Sequence, residues 1–402
     1  MMELLSPAGS PEAVQAAVQS GADAVYLGYG NFNARRNAVN FDDAGLQAAV
    51  EYCHLRGVKV YLTLNTLLSD RELPQAAGLV DRASRLGVDA LLVQDLGVAR
   101  MARQVAPDLP LHASTQMTIH SLDGAQAAAD LGMTRVVLSR ELSADAIADL
   151  CARSPVELEV FGHGALCMCY SGQCFLSAVL GGRSGNRGLC AQACRLPYEL
   201  RNRAQRKELP SPGEHLLSPQ DLCVIDLMPE LVAAGAASLK IEGRMKSADY
   251  VFAVTSAYRA VLDRVLAARA TGEAAESDPV RATGDERRAL EEAFSRGFTT
   301  AYLTGQRGND IMSYGRPNNR GVFVGRVAYA RDGVAAIAAE EELHEGDVLE
   351  FWTNKGHFAH TLGPLEADKA GNVRTAPQRA VGKGDRVFRV RNAATGFADD
   401  PL

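Results

Sequence analysis

The chain has 402 residues, 47% of them apolar, and a formal net charge of −6, enough for two domains or one large barrel with an appendage, and for a core that needs no covalent staples. The acidic balance excludes a protein that coats nucleic acid by bulk attraction, though not one local basic surface. No run approaches the roughly 18 apolar residues of a membrane span, and the N-terminal MMELLSPAGSPEA lacks the basic region and apolar core of a signal peptide, so a cytoplasmic location is expected.

The first 165 residues repeat one theme: a short apolar run of strand formers, a polar junction, then an alanine-rich amphipathic stretch ending in glycine. The pattern predicts strands at 3–5, 24–27, 59–64, 90–93, 111–113, 135–138 and 157–161, with helices near 11–19, 43–56, 71–86, 96–105, 121–131 and 143–153. Gly21, Gly57, Gly87 and Gly132 stand where helices end in a left-handed cap. Continuous apolar strands alternating with helices mean a parallel sheet covered on both faces. An eighth strand, Ser238–Ile241, comes after a cysteine-rich stretch, with a helix over 222–234 before it and another over 247–268 after it. Eight such units close a barrel. The expectation is a (β/α)8 TIM-like barrel over 1–268, with a cysteine-rich insertion at about 165–222 after strand 7. A doubly wound open sheet is the runner-up, but no G-x-G-x-x-G turn follows the first strand.

Residues 269–285 turn polar and 286–294 read as a short helix, so 269–318 is expected to be a linker. Beyond Asn319 the period changes to short β-runs at 321–328, 334–338, 347–352 and 386–390, which predicts a small β-barrel domain over 319–402. The abrupt end at Asp399-Asp400-Pro401-Leu402 reads as that of a piece of something longer.

In a parallel barrel the chemistry sits where the loops after the strands converge. The residues just past each strand include Ser6, Asn65, Gln94, Asp95, Ser114, Ser139, Arg140, His163, Glu242 and Arg244, a polar ring suited to a small oxygen-rich ligand, although helix capping alone explains several of them. Lys240 lies two before Glu242 and so shares its face of the strand. His163, Lys240 and Glu242 are the catalytic candidates, His163 because it precedes the first clustered cysteine.

Eight cysteines in a chain with no export signal point to metal or redox chemistry rather than disulfides, and five of them fall between 167 and 194. Cys167, Cys174, Cys190 and Cys223 do not have the paired C-x-x-C spacing of a zinc ribbon, and soft thiolates gathered on one loop suit a cubane iron-sulfur cluster better. Cys194 and Cys169 are alternative ligands for neighbouring positions, while Cys53 and Cys151 lie in amphipathic helices as small buried hydrophobes. From 181 to 207 the insertion also carries Arg183, Arg187, Arg195, Arg201, Arg203, Arg206 and Lys207 against the single acid Glu199, either a phosphate-binding surface or a solvated loop.

The segment ELEVFGHGALCMCYSGQCFLS resembles the signature of the U32 peptidase family, also called collagenase-like, with Glu159, Phe161, Gly164, Cys167, Gly172, Cys174 and Ser177 in its pattern. The likeness extends to SPAGS, GNRGLCAQACR, SPQDLC, KIEGRMKSADY with Tyr258-Arg259, RGFTTAYLTG and PNNRGVFVGRV, essentially the whole chain. It implies oxygen-independent hydroxylation, since members similar to this one hydroxylate a cytidine of ribosomal RNA, the wobble uridine of tRNA or a ubiquinone precursor. It also implies a [4Fe-4S] cluster on Cys167, Cys174, Cys190 and Cys223, with Cys169 a departure from the alanine common there, and prephenate as the hydroxyl source. Prephenate is a dicarboxylate, which makes Arg140, Arg187, Arg195 and Arg244 the candidates for binding it or RNA through paired hydrogen bonds. One family branch works as a heterodimer, which leaves a protein partner open. The alternatives are a peptidase, for which neither G-x-S-x-G nor H-E-x-x-H is present, and a non-enzymatic accessory protein.

Overall fold

The computed structural model describes residues 2–30, 32–35, 40–271 and 279–398. Residues 272–278 of the polar stretch and the terminal 399–402 lie outside these. The described chain forms two compact units, Met1–Ala282 with Phe298–Pro317, and Thr283–Gly297 with Asn318–Leu402. The stretch 269–318 read as a linker therefore contributes to both.

The first unit alternates strand and helix: β1 (Glu3–Pro7), α1 (Pro11–Gln19), β2 (Ala24–Gly28), α2 (Asp43–His54), β3 (Lys59–Leu64), α3 (Leu73–Arg85), β4 (Ala90–Val93) and α4 (Leu96–Val105). It continues with β5 (Leu111–Ala113), α5 (Leu122–Asp130), β6 (Arg135–Val137), α6 (Ala144–Arg153) and β7 (Glu157–Ala165). Five of these six helices start for a local reason: the side chains of Ser10, Asp42, Asp95, Ser121 and Ser143 accept hydrogen bonds from backbone N–H groups of the first turn of α1, α2, α4, α5 and α6. The four glycines expected at helix ends all take positive φ.

After β7 the chain makes the cysteine-bearing excursion: α7 (Leu176–Gly181), a basic ribbon of β8 (Arg201–Asn202) and β9 (Lys207–Glu208), then β10 (Asp221–Cys223) and α8 (Met228–Ala234). It returns to the barrel as β11 (Ser238–Ile241), which pairs in parallel with both β1 and β7 and closes eight parallel strands, as the sequence predicts. The long α9 (Ala248–Thr271) covers the outside.

One expected element is different. Residues 222–224 do not begin a helix; Asp221, Leu222 and Cys223 pair antiparallel with Ala165, Gly164 and His163, a 3-10 turn spans Ile225–Leu227, and the α-helix starts at Met228. The cause is β7, which runs past the barrel rim and leaves an edge for the returning chain to complete. A further short strand, β12 (Phe298–Thr299), follows α10 (Gly284–Ala293) in sequence and pairs with β10.

The barrel interior carries a buried chain of charge. Lys240 donates to Glu159 at 2.9 Å, Arg135 lies 3.5 Å from the same carboxylate and also binds Glu3, and Tyr61 donates to Glu3 at 2.7 Å. All these charged groups are nine-tenths buried.

The second unit, beginning with α10, is a seven-stranded antiparallel sheet: β13 (Val322–Arg331), β14 (Val334–Ala339), β15 (Val348–Thr353), β16 (Gly356–Thr361), β17 (Glu366–Ala367), β18 (Val373–Thr375) and β19 (Arg386–Arg391). Val324, Val327, Ile337, Leu349, Phe351 and Val387 form its core. Arg389, buried, ties the sheet to Glu292 of α10 and to Asp347.

Removing one member of a buried ion pair strands its partner. Glu159→Leu is therefore expected to cost on the order of 3–5 kcal/mol, measured by urea denaturation of the whole chain; a cost under about 1 kcal/mol would show that Lys240 and Arg135 find compensation elsewhere.

Candidate functional site

Arginine dominates the barrel mouth. Glu242, just past β11, receives Arg35 at 2.8 Å on one oxygen and Arg140 at 3.3 Å on the other. Burial alone would raise the carboxyl's pKa, but the Arg35 and Arg140 guanidiniums, with Lys240 below, hold it under its usual value, so Glu242 is ionised. Arg140 is fixed further by the carbonyl of Ala165 at 3.2 Å and by the face of Phe161, 3.8 Å away. Arg244, almost wholly buried, donates to Thr63 and Asn33, and burial followed by repulsion from Arg35 brings its guanidinium down to about 10. Three guanidiniums thus face one carboxylate, an excess of positive charge in a low-dielectric mouth.

The loop carrying Glu242 and Arg244 approaches its neighbours closely. A Cβ at Gly9 would stand 1.9 Å from the Arg244 carbonyl oxygen, and one at Gly164, where φ is +105°, would stand 2.5 Å from that of Glu242; only glycine admits both. At the strand ends Gln94 Oε1, Ser139 Oγ and Arg244 Nε are buried with no hydrogen-bond partner among the described residues. Buried polar atoms left so are where a ligand or ordered water belongs. Other members of the expected ring are turned to structure: Asp95 and Ser114 cap turns, Asn65 donates to Ser114 at 3.0 Å, and Ser6 faces Thr255 of α9 at 2.9 Å.

The three catalytic candidates are separated by the structure. Glu242 is in the mouth and Lys240 in the charge chain below it. His163 packs edge-on against Tyr258 at 5.5 Å and Phe298 at 5.4 Å, beside Tyr250 of α9, and its Nδ1 lies 3.4 Å from the Tyr258 hydroxyl. Burial pushes its pKa down to about 3, so the ring is neutral, and its Nε2 has no partner among the described residues.

The four anion-binding candidates divide too. Arg140 and Arg244 are in the mouth. Arg187 instead makes two bonds to Glu72, at 2.9 and 2.6 Å, and another to the Leu67 carbonyl; this pair, together with Ser69, holds Glu72 down to about 2. Arg195 donates to Ser218 Oγ at 2.9 Å and to the carbonyls of Pro219 at 2.6 Å and Leu166 at 2.8 Å. Both fasten the insertion. Arg35, which no strand end announces, is the mouth residue that sequence reasoning missed; its only signal was an arginine pair, Arg35-Arg36, in the loop after β2.

The insertion gathers its sulphurs. Burial raises the thiol pKa of Cys167, with Cys174 and Cys190 adding to the shift; burial likewise raises Cys194, with Cys167, Cys190 and Cys174 contributing, and Cys169, with Cys174 and Cys167 contributing. The group adjoins the mouth, because Arg140 acts on the Cys167 thiol and Cys190 acts on Arg35. Cys223 is placed by its ladder position opposite His163, with the Tyr258 hydroxyl 3.8 Å from its sulphur. Cys53 is fully buried in α2, as a small hydrophobe should be. Among the described residues no three His, Cys, Asp or Glu side chains converge closely enough to hold a single metal ion. A cubane takes each thiolate on a different iron, and soft sulphur gathered on one partly buried loop is the donor chemistry that fits it.

The fold and this site define a TIM-like barrel protein with a cysteine-bearing insertion beside a cationic mouth. Residues 9–313 match peptidase family U32, and the chain belongs to that family. It is 39% identical over 348 residues to a 23S rRNA 5-hydroxycytidine synthase of Escherichia coli, covering 87% of this chain and 52% of that protein, about half its length. It is 33% identical over 384 residues to tRNA hydroxylation protein P1 of Bacillus subtilis, covering 92% of this chain and 88% of that one. It is also 34% identical over 364 residues to a collagenase of Porphyromonas gingivalis, covering 86% and 85%. No described helix is long and apolar enough to cross a membrane.

The neutral state of His163 has a consequence for stability. Its folded pKa of about 3 lies below its usual 6.5, so the unfolded chain takes up a proton first and stability falls as pH drops through that window. His163→Phe should reduce the loss of stability between pH 6.5 and about 4 by on the order of 2–3 kcal/mol, read from urea midpoints. Parallel pH profiles for variant and parent would show that the ring is protonated in the folded state.

Proposed function

We propose that the protein hydroxylates a pyrimidine base of ribosomal or transfer RNA without molecular oxygen, with prephenate as the hydroxyl donor. The observation that carries this reading is that Arg35 and Arg140, both paired with Glu242, also lie near enough to the cysteine group to act electrostatically with Cys190 and Cys167: a cationic mouth suited to a small dicarboxylate adjoins a set of thiols suited to a redox cluster. The relatives named for rRNA and tRNA hydroxylation support the RNA substrate.

In this reading Arg35, Arg140 and Arg244 bind the carboxylates, since a guanidinium offers paired donors to each. Glu242 keeps Arg35 and Arg140 oriented and separated until the acid arrives, and Lys240 helps to keep Glu242 ionised. Arg187 and Arg195 hold the insertion over the mouth. A [4Fe-4S] cluster on Cys167, Cys174, Cys190 and Cys223 would supply one-electron chemistry beside the bound acid. The collagenase relative favours a second reading, peptide hydrolysis.

Mass spectrometry of ribosomal and transfer RNA from a deletion strain should show the loss of one hydroxylated pyrimidine; an unchanged set of hydroxylated bases would remove the leading reading, and collagen turnover that survives loss of all four cysteines would put the peptidase in its place. Anaerobically purified protein should hold about four irons per chain, with Cys223→Ala losing most of the iron and Cys194→Ala keeping it; stoichiometric zinc would refute the cluster. Prephenate should raise the melting temperature of the parent protein, and Arg35→Ala should weaken that binding by about tenfold or more at unchanged iron content. Equal shifts in the two proteins would take Arg35 out of the site.

A further inference from the structure

The sheet of the second unit carries an arrangement that the barrel chemistry does not use. Strands β15, β19 and β13 lie side by side, and their inward residues Val324, Leu349, Phe351 and Val387 make the core. Alternation turns Phe323, Phe388 and Trp352 to the other face, where each is only half-buried. Register sets Phe323 opposite Phe388, with ring centroids 5.6 Å apart, and Trp352 stands 4.5 Å from Phe388 at an interplanar angle of 34°. The three rings form one row across three strands.

Cations flank the row. Arg386 faces both Trp352 and Arg326 in the ladders, its guanidinium 5.0 Å from the tryptophan ring and 5.8 Å from Phe388, and Arg326 lies 5.7 Å from the Phe323 ring. Both arginines are exposed, and neither has a carboxylate partner among the described residues. Exposed His357 stands 6.2 Å from Trp352. The acid on this face, Glu350, is largely buried and is engaged by His357 at 3.6 Å and by the Trp352 indole at 3.4 Å. Cross-strand aromatic pairs stabilise any sheet, but that role requires no unpaired arginines along the rings. Aromatic faces interleaved with unpaired cations match a chain that alternates flat bases with phosphates.

We propose that this face is a stacking surface for unpaired RNA, with Phe323, Phe388 and Trp352 taking bases and Arg326 and Arg386 taking phosphates. The proposal rests on the RNA reading of the barrel site, and it selects single-stranded over duplex RNA because a row of rings needs bases that are free of their own stack.

Trp352 is the only tryptophan in the chain, so tryptophan emission excited at the red edge, where tyrosine does not absorb, reports on this face alone. Titrating the whole protein with an unstructured oligoribonucleotide of about ten nucleotides should quench that emission saturably and less strongly at high salt, whereas a duplex of the same length or polyphosphate should leave it nearly unchanged. Phe388→Leu keeps an apolar side chain in the sheet and should weaken binding about tenfold, while Phe388→Tyr should restore it; Arg386→Gln should lower the salt slope by about one. Unchanged emission while a labelled strand binds, equal binding of duplex and single strand, or parental affinity in Phe388→Leu would each overturn the proposal. The two readings fail separately: hydroxylation lost from a deletion strain with no quenching sinks the stacking surface alone, and saturable quenching with hydroxylation intact in that strain sinks the barrel reading alone.

Discussion

Charge buried along the barrel axis is the constraint on which the rest depends. Lys240, Glu159, Arg135 and Glu3 come from β11, β7, β6 and β1, so the strands on either side of the closing seam are held by groups that cannot be desolvated singly at tolerable cost. β11 must then sit in one register, and that register delivers Glu242 and Arg244 to the rim. The mouth inherits its geometry from the ion chain beneath it.

The same seam explains why the insertion sits where it does. β7 outruns the barrel, β10 completes its edge in the opposite direction, and the cysteine-bearing loop is held between two anchors, Arg187 on Glu72 and Arg195 on three oxygens of the protein. Arginine suits such fastening because its planar fork keeps several donors in fixed directions and stays charged throughout the range of pH in which the protein lives. Local charge that reads in sequence as a surface for phosphates is, for these two residues, internal fastening.

Most of the barrel was legible in the chain because parallel strands buried on both faces and alanine-rich helices have different periods, and five of the first six helices carry their own cap. The eighth strand was found beyond the insertion for the same reason. What could not be read is non-local. Leu222 and Cys223 look like the start of a helix because their partner, the overrun of β7, is specified far away. Arg35 could not be assigned to the mouth from its loop, and His163, four residues before Cys167 in sequence, turns to α9 because the β-ladder shifts between Lys240 and Ile241. The aromatic row escaped notice because its members come from three strands that only the sheet brings together.

Every neighbouring pair of strands from β1 to β7 follows in order along the chain, but the barrel closes through β11, which the ribosome delivers only after the whole cysteine-bearing excursion. Until then β1 and β7 are open edges, and closing them costs the entropy of a long loop before any contact across the seam repays it. The antiparallel β10 emerges just ahead of β11 and covers the far end of β7. It stays there after β11 has paired with residues 159–163, so the overrun of β7 is not left as an open edge on which a second chain could pair.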